Sequence, residues 1–226
     1  MGRLAVILGS NALGPGGEEI AAAAAEHGAA IVQRHDSSAE YVLPHRIDHA
    51  ANLRPLAELG CDRVLAIASV GSLRTELGVG TLVCPDDFIA LHLGYSIFSD
   101  QRAHTAPSFA ARWRAEVIEA WGSGGEAPRD GGVYWQTIGP RFETPAEIRM
   151  MAAHADLVGM TVASECIVAG ELGLEYAAVC MVDNLANGLG DGELSVAELE
   201  ADRLINAAKL REGLARVLPR LGAVGR

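Results

Sequence analysis

The sequence of 226 residues is poor in positive charge, in aromatic side chains and in long apolar runs. Lys and Arg together number 18 against 29 Asp and Glu, which gives a net charge of −11, and Lys209 is the single lysine. Binding to nucleic acids needs clustered positive charge, so this composition argues against such a partner. No apolar stretch reaches the roughly 18 residues that a transmembrane helix needs, and we expect no membrane span.

Cysteine and metal-binding patterns are also scarce. The nearest metal-like pattern, His45 with His49, lacks the glutamate and the third ligand of a zinc motif, so we expect no metal. The apolar run Leu4–Leu8 is too short for a signal peptide. Four cysteines without a CxxC pair predict free thiols in a reducing compartment, and therefore a cytoplasmic protein; they are Cys61, Cys84, Cys166 and Cys180.

Short apolar runs, typical of strands, alternate with amphipathic stretches, typical of helices. The predicted strands are Leu4–Leu8, Ala30–Gln33, Arg63–Ala68, Thr81–Ile89, Val133–Ile138, Leu157–Met160 and Tyr176–Val182. The predicted helices are Glu18–His27, Ile47–Leu59, Phe109–Trp121, Pro145–Ala153, Glu165–Leu172 and Leu194–Leu218. This alternation predicts an α/β fold, with residues 1–226 forming a single domain whose mixed, largely parallel central sheet is flanked by helices.

Ligands of such sheets bind beyond the carboxyl ends of the strands, where this chain carries small and polar residues. The turn at Gly9-Ser10 could cradle an anion with its N–H groups, and Arg34-His35 could hold a phosphate. Glu143 and Asn184 are suited to hydrogen-bonding a planar heterocycle. Each of these features also fits an ordinary turn, cap or solvated pair, and the chain has neither GxGxxG spacing nor a Walker lysine.

Taken together, three segments in order carry a more specific pattern. The first is Ile7-Leu8-Gly9-Ser10, and the second is Asn52-Leu53 with Ala68-Ser69-Val70-Gly71-Ser72-Leu73. The third is Gly139-Pro140-Arg141-Phe142-Glu143-Thr144-Pro145-Ala146-Glu147, followed by Val158-Gly159-Met160-Thr161 and Glu165. With these segments the chain resembles the trimeric purine nucleoside phosphorylase and methylthioadenosine phosphorylase family, over residues 4 to 215.

This resemblance implies phosphorolysis, in which inorganic phosphate attacks C1′ of a purine nucleoside and releases the free base. Nucleoside and phosphate would be the small-molecule partners, with no cofactor besides the co-substrate phosphate. The resemblance assigns phosphate to Ser10, Arg34, His35, Thr161 and the backbone around Ser69. It places Met160 under the ribose and Phe142 near the base, with further nucleoside contacts from Ala68, Val70 and Gly71. It also implies a homotrimer, in which Phe98 or His104 reaches a neighbouring subunit's site.

The identity of the base follows from the two residues that the resemblance makes catalytic. Glu143 can accept the N1–H of a 6-oxopurine, and Asn184 can donate to O6 or N7, where negative charge develops. Asp183, if it stood in the site instead, would indicate a 6-aminopurine and hence a methylthioadenosine phosphorylase. Otherwise, Asp183 is a strand-end cap or orients Asn184.

Two further features bear on the sugar and on the nucleophile. The resemblance places Val196 where members that act on ordinary nucleosides have a histidine for the 5′-hydroxyl and methylthio-nucleoside enzymes have small apolar residues, so a 5′-methylthio nucleoside such as methylthioinosine is a candidate substrate. Val196 equally fits a core-facing position of the last helix. The chain is also shorter than the family between its first strand and Arg34-His35, which leaves a nucleoside hydrolase that uses water as an alternative.

Overall fold

A computed structural model gives the fold and describes residues 2–9, 17–35, 41–189 and 196–223. For residues 17, 196–203 and 223 it describes the backbone. Over these residues the predicted fold class is confirmed, because helices cover both faces of a mixed, largely parallel sheet.

Strands and helices alternate along the chain, as the sequence predicts. The strands are β1 Arg3–Leu8, β2 Ala30–Gln33, β3 Cys61–Ser72, β4 Leu82–Cys84, β5 Asp87–Ile89, β6 Arg129–Asp130, β7 Val133–Gln136, β8 Leu157–Gly159 and β9 Glu175–Leu185. The helices are α1 Gly17–Glu26, α2 His49–Glu58, α3 Ala111–Gly122, α4 Pro145–Met151, α5 Val162–Glu171 and α6 Val196–Ala223. Short 3₁₀ turns occur at Pro44–Arg46 and Gln101–Ala103.

The centre of the sheet is β3, which pairs in parallel with β1 on one side and with β9 on the other. Its last two residues, Gly71 and Ser72, pair antiparallel with β8. The path continues from β8 through β7 to β5, while β9 leads through β4 to β6, and β2 lies outside β1. The strand ends that carry polar residues therefore meet around the end of β3.

Alternate residues of the central strands point to opposite faces of the sheet and form two apolar layers, one on each face. In β1, Leu4, Val6 and Leu8 pack with α1, α3 and α6, whereas Ala5 and Ile7 pack with α2 and α5. Because both faces of these strands are buried, their sequences are continuous apolar runs and do not alternate between apolar and polar residues. Among the described helices, none is long and apolar enough to cross a membrane.

The observed bounds differ from the predicted ones mainly where polar residues belong to regular structure. The predicted strand Thr81–Ile89 is two strands separated by Pro85, which has no N–H to donate to a ladder. Both β3 and β9 run beyond their apolar cores and include Ser69 and Asn184. The strand β6 lies between the predicted helix Phe109–Trp121 and the predicted strand Val133–Ile138, in a stretch for which the sequence pattern predicts no element.

Candidate active site

A cleft of about 200 Å³ lies at the ends of β1, β2, β3, β8 and β9. Most of the residues predicted from sequence line it together, although they come from distant parts of the chain. They are Arg34, His35, Ser69, Val70, Gly71, Phe142, Glu143, Met160, Thr161 and Asn184.

The remaining predicted residues lie elsewhere or cannot be placed. Ala68 and Asp183 are buried beside the cleft and do not line it. His104 is exposed at the end of the 3₁₀ turn Gln101–Ala103, outside the lining of this chain's own cleft. Ser10 and the side chain of Val196 lie outside the described residues.

Arg34 is a buried cation, 3% exposed, immediately after β2. Its Nε and Nη2 donate to the two oxygens of Glu165 at 2.5 and 3.0 Å, and its Nη1 donates to the carbonyl of Ile67 at 3.0 Å. Burial opposes charge on both groups, but their attraction prevails, so the pKa of Glu165 is lowered and that of Arg34 raised. These described contacts use three of the five guanidinium N–H groups, and two can serve an anion.

His35 is held by contacts with the segment that follows it. Its Nδ1 lies 2.8 Å from the carbonyl of Val42, and because a carbonyl can only accept, Nδ1 carries the proton. The ring stacks on Tyr41 with a centroid distance of 4.9 Å and an interplanar angle of 8°. Burial lowers the pKa of His35, so the neutral ring is favoured and Nε2 keeps its lone pair.

Thr161 stands at the start of α5, where backbone N–H groups could face an anion. Strand β7 already uses several of these groups: Tyr134 Oη accepts from the N–H of Thr161 at 3.2 Å, and Gln136 Oε1 accepts from Ser164 at 3.0 Å. The hydroxyl of Thr161 is therefore the group that this residue can offer to a ligand.

The turn between β7 and α4 presents Glu143 to the cleft. Thr144 and Glu147 form a capping box at the start of α4, and Arg141 pairs with both oxygens of Glu147 at 2.9 and 2.7 Å. The carboxylate of Glu143 accepts a hydrogen bond from the Thr137 hydroxyl at 2.6 Å. Arg141 thus stabilises the turn, while Glu143 is oriented by Thr137, which directly follows β7.

Two glycines are explained by close approaches at the cleft. Gly139 has a φ of +69°, and a Cβ there would lie 2.5 Å from the sulfur of Met160. A Cβ on Gly71 would lie 3.1 Å from Cγ1 of Val158 and 3.4 Å from Nδ2 of Asn184. The missing side chains leave room for Met160 at Gly139 and for Val158 and Asn184 at Gly71.

A β-bulge decides which residue of the Asp183-Asn184 pair faces the cleft. Val70 pairs with Val182 and Gly71 with Asn184, so Asp183 is the extra residue of β9. Asn184 lines the cleft, whereas Asp183 is 5% exposed and accepts hydrogen bonds from Ser69 and Asn206. This geometry does not fit the alternative in which Asp183 contacts the base.

Sequence reasoning missed several contributors. Tyr41, Leu43, Pro44 and Asn187 also line the cleft, and the amide of Asn187 donates to the carbonyl of Glu143 at 3.1 Å. The structural role of Glu165 was detectable in principle, because a lone carboxylate among apolar residues of a buried helix needs a cationic partner.

A sequence model of the Phosphorylase superfamily matches residues 15–219. A probable 6-oxopurine nucleoside phosphorylase of Archaeoglobus fulgidus is 43% identical over 171 residues, which cover 75% of this chain and 70% of that protein. A probable S-methyl-5′-thioinosine phosphorylase of Xanthomonas campestris is 37% identical over 182 residues, which cover 76% of this chain and 72% of that protein.

Among solved structures, methylthioadenosine phosphorylase from Schistosoma mansoni in complex with adenine superposes with a TM-score of 0.81. The match covers 99% of this chain and 93% of the other at 20% identity, and so bears on the fold alone.

Proposed function

Because the chain belongs to the phosphorylase superfamily, we propose that it is a purine nucleoside phosphorylase, a pentosyltransferase that acts on 6-oxopurine nucleosides. Inorganic phosphate attacks C1′, the bond from C1′ to the base breaks, and the bonding electrons leave with the base. The products are the free purine and the ribose 1-phosphate. The observation that carries the proposal is one cleft lined by both Arg34 and Thr161, suited to an anion, and Glu143 and Asn184, suited to a purine.

The residues act on opposite sides of the breaking bond. Arg34 offers its two remaining N–H groups, and Thr161 its hydroxyl, to the attacking phosphate. His35 adds either an acceptor for a phosphate O–H or, once protonated, a donor. Glu143 accepts from N1–H of the base, and the amide of Asn184 donates to O6 or N7, where charge accumulates in the transition state.

The sugar of the substrate carries either a 5′-hydroxyl or a 5′-methylthio group in this proposal. The apolar residues Leu43 and Pro44, which line the cleft on the segment after His35, favour methylthioinosine. A buried 5′-hydroxyl without a partner would cost about 1–3 kcal/mol, which an apolar 5′-substituent avoids.

We also propose that the protein is a cytoplasmic homotrimer. All four cysteines are buried and free, which supports a reducing compartment. The exposed Leu91 and Ile138, at 84% and 54% exposure, are apolar surface that a second copy would cover. Phe98 or His104 is then the residue that completes the site of a neighbouring subunit.

A substrate panel tests the proposal. Release of base is measured by liquid chromatography for inosine, guanosine, adenosine, methylthioinosine and methylthioadenosine, each at saturating phosphate. We expect the 6-oxopurine nucleosides to be cleaved with the highest kcat/KM, and Glu143→Gln to lower that value by about 10- to 100-fold. The matched variant Glu58→Gln, at an exposed position of α2, should leave it unchanged. Preference for the 6-aminopurine nucleosides would refute the assignment of the base.

A further inference from the structure

A chain of three polar side chains joins the cleft to the last helix. Ser69 lines the cleft, and its hydroxyl donates a hydrogen bond to Oδ2 of Asp183. Asn206 in α6 is 4% exposed, and its Nδ2 donates to Oδ1 of Asp183 at 2.7 Å and to the carbonyl of Val182 at 3.2 Å. Both oxygens of Asp183 therefore receive a hydrogen bond.

This arrangement determines the polarity that Ser69 shows to a ligand. A serine hydroxyl has one proton and two lone pairs, and a carboxylate has no proton to give. Since Asp183 takes the proton, the Ser69 Oγ faces the cleft with lone pairs only. A substrate group that meets Ser69 must consequently be a hydrogen-bond donor.

The position of Ser69 along β3 indicates which substrate group this is. Two residues earlier, the carbonyl of Ile67 accepts from Arg34 at the phosphate side. Two residues later, Gly71 pairs with Asn184 of β9 at the base side. In a strand, each step of two residues spans about 6–7 Å, so Ser69 lies between phosphate and base.

The sugar is the part of the substrate that occupies this position, and its hydroxyls are donors, whereas phosphate oxygens are mainly acceptors. We propose that Ser69, oriented by Asp183 and Asn206, accepts a hydrogen bond from a ribose hydroxyl and so makes the enzyme select ribonucleosides over deoxyribonucleosides. In this assignment Ser69 contacts substrate, while Asp183 and Asn206 are positioning residues. The inference rests on the proposed function.

The test compares kcat/KM for inosine with the values for 2′-deoxyinosine and 3′-deoxyinosine, all at saturating phosphate. The wild type should favour inosine over at least one of these analogues by about 5- to 100-fold, as expected when an acceptor that the bound substrate shields from water loses its donor. Ser69→Ala should bring that ratio close to one, and Ser69→Thr, which keeps the hydroxyl, should retain it.

Asp183→Asn is the more specific test because it keeps the Ser69 hydroxyl and reverses the direction of its hydrogen bond with residue 183. Asn206 still needs an acceptor, so the new amide turns its oxygen to Asn206 and its NH₂ group to Ser69. The Ser69 proton is then free to point into the cleft. We expect the ribose preference to fall as in Ser69→Ala, and the double variant Ser69→Ala/Asp183→Asn to show no further decrease in the ratio.

The outcomes distinguish failure of the Ser69 assignment from failure of the proposed function. Equal loss on inosine and on both deoxy analogues in Ser69→Ala or Asp183→Asn would show a purely structural role and overturn the inference. A wild-type enzyme that cleaves inosine and both analogues equally well would overturn it too. If wild type released no base from any purine nucleoside with phosphate, the proposed function itself would fail. Because Ser69 is exposed in the cleft, its variants keep the test decisive even if Asp183→Asn does not fold.

Discussion

Replacing Glu165 by Gln should destabilise the protein more than any ordinary surface substitution, because Glu165 is completely buried and neutralises a buried cation. The carboxylate accepts two hydrogen bonds from Arg34 and one, at 2.7 Å, from the Tyr176 hydroxyl. An amide has a single oxygen, so its NH₂ group must face a donor on one of these partners. The Arg34 charge, 3% exposed, would remain without its counter-charge.

Breaking a buried ion pair by removing one partner costs about 3–5 kcal/mol, and we expect a loss of that size in the free energy of unfolding. Urea denaturation at pH 7, followed by circular dichroism, measures this loss through the midpoint and the slope. The exposed control Glu58→Gln should change stability by no more than about 0.5 kcal/mol.

A double variant separates the lost charge from lost packing. Arg34→Met/Glu165→Leu removes both charges and should recover much of the stability, since apolar replacements of buried ion pairs are often neutral. The same protein should lose phosphate-dependent activity, because Arg34 is part of the proposed phosphate site. A loss below about 1 kcal/mol in Glu165→Gln would refute the view that Arg34 depends on Glu165.

Three other predictions follow from the cleft and its surroundings. Asn184→Asp should shift preference toward 6-aminopurine nucleosides in the substrate panel; an unchanged profile would place Asn184 outside the base site. Gly71→Ala should lower thermal stability and raise the nucleoside KM, because its Cβ would lie 3.1 Å from Cγ1 of the buried Val158 and 3.4 Å from Asn184 Nδ2; an unaltered KM would contradict an effect on Asn184. Burial lowers the pKa of His49 to about 4, whereas the unfolded chain titrates near 6.5, so stability should be full above pH 6.5 and fall by about 3 kcal/mol towards pH 4. Urea denaturation at several pH values measures this effect: His49→Gln should weaken the dependence of the unfolding free energy on pH, whereas His92→Gln, at an exposed position, should leave it unchanged. An unchanged dependence in His49→Gln would exclude His49 as the cause.

Much of the fold was predictable because its central strands are buried on both faces. The short apolar runs Leu4–Leu8 and Arg63–Ala68 are typical of strands in a covered sheet, and glycines such as Gly60, with a φ of +76°, end the helices between them. The predicted strand bounds were wrong where polar residues that line the cleft belong to a strand. Ser69 and Asn184 are polar strand residues, and periodicity alone assigns such residues to loops.

The cleft was predictable in its residue types but not in its contacts. The resemblance brought Glu143 and Asn184 into one site, and both line the cleft. The resemblance could not show that Arg34 forms an ion pair with Glu165, because the two residues are 131 positions apart in the sequence. Nor could it show the bulge at Asp183, because which of two adjacent polar residues faces a ligand depends on the pairing of β9 with β3.

Whether phosphate is the nucleophile can be determined by following the fate of the phosphorus. Inosine or methylthioinosine is incubated with the enzyme and inorganic phosphate, and ³¹P NMR is recorded while base release is measured in parallel. One sugar 1-phosphate should form for each purine released, and no base should be released when phosphate is omitted. Base released at the same rate without phosphate, with free sugar as the product, would contradict phosphorolysis and identify a hydrolase.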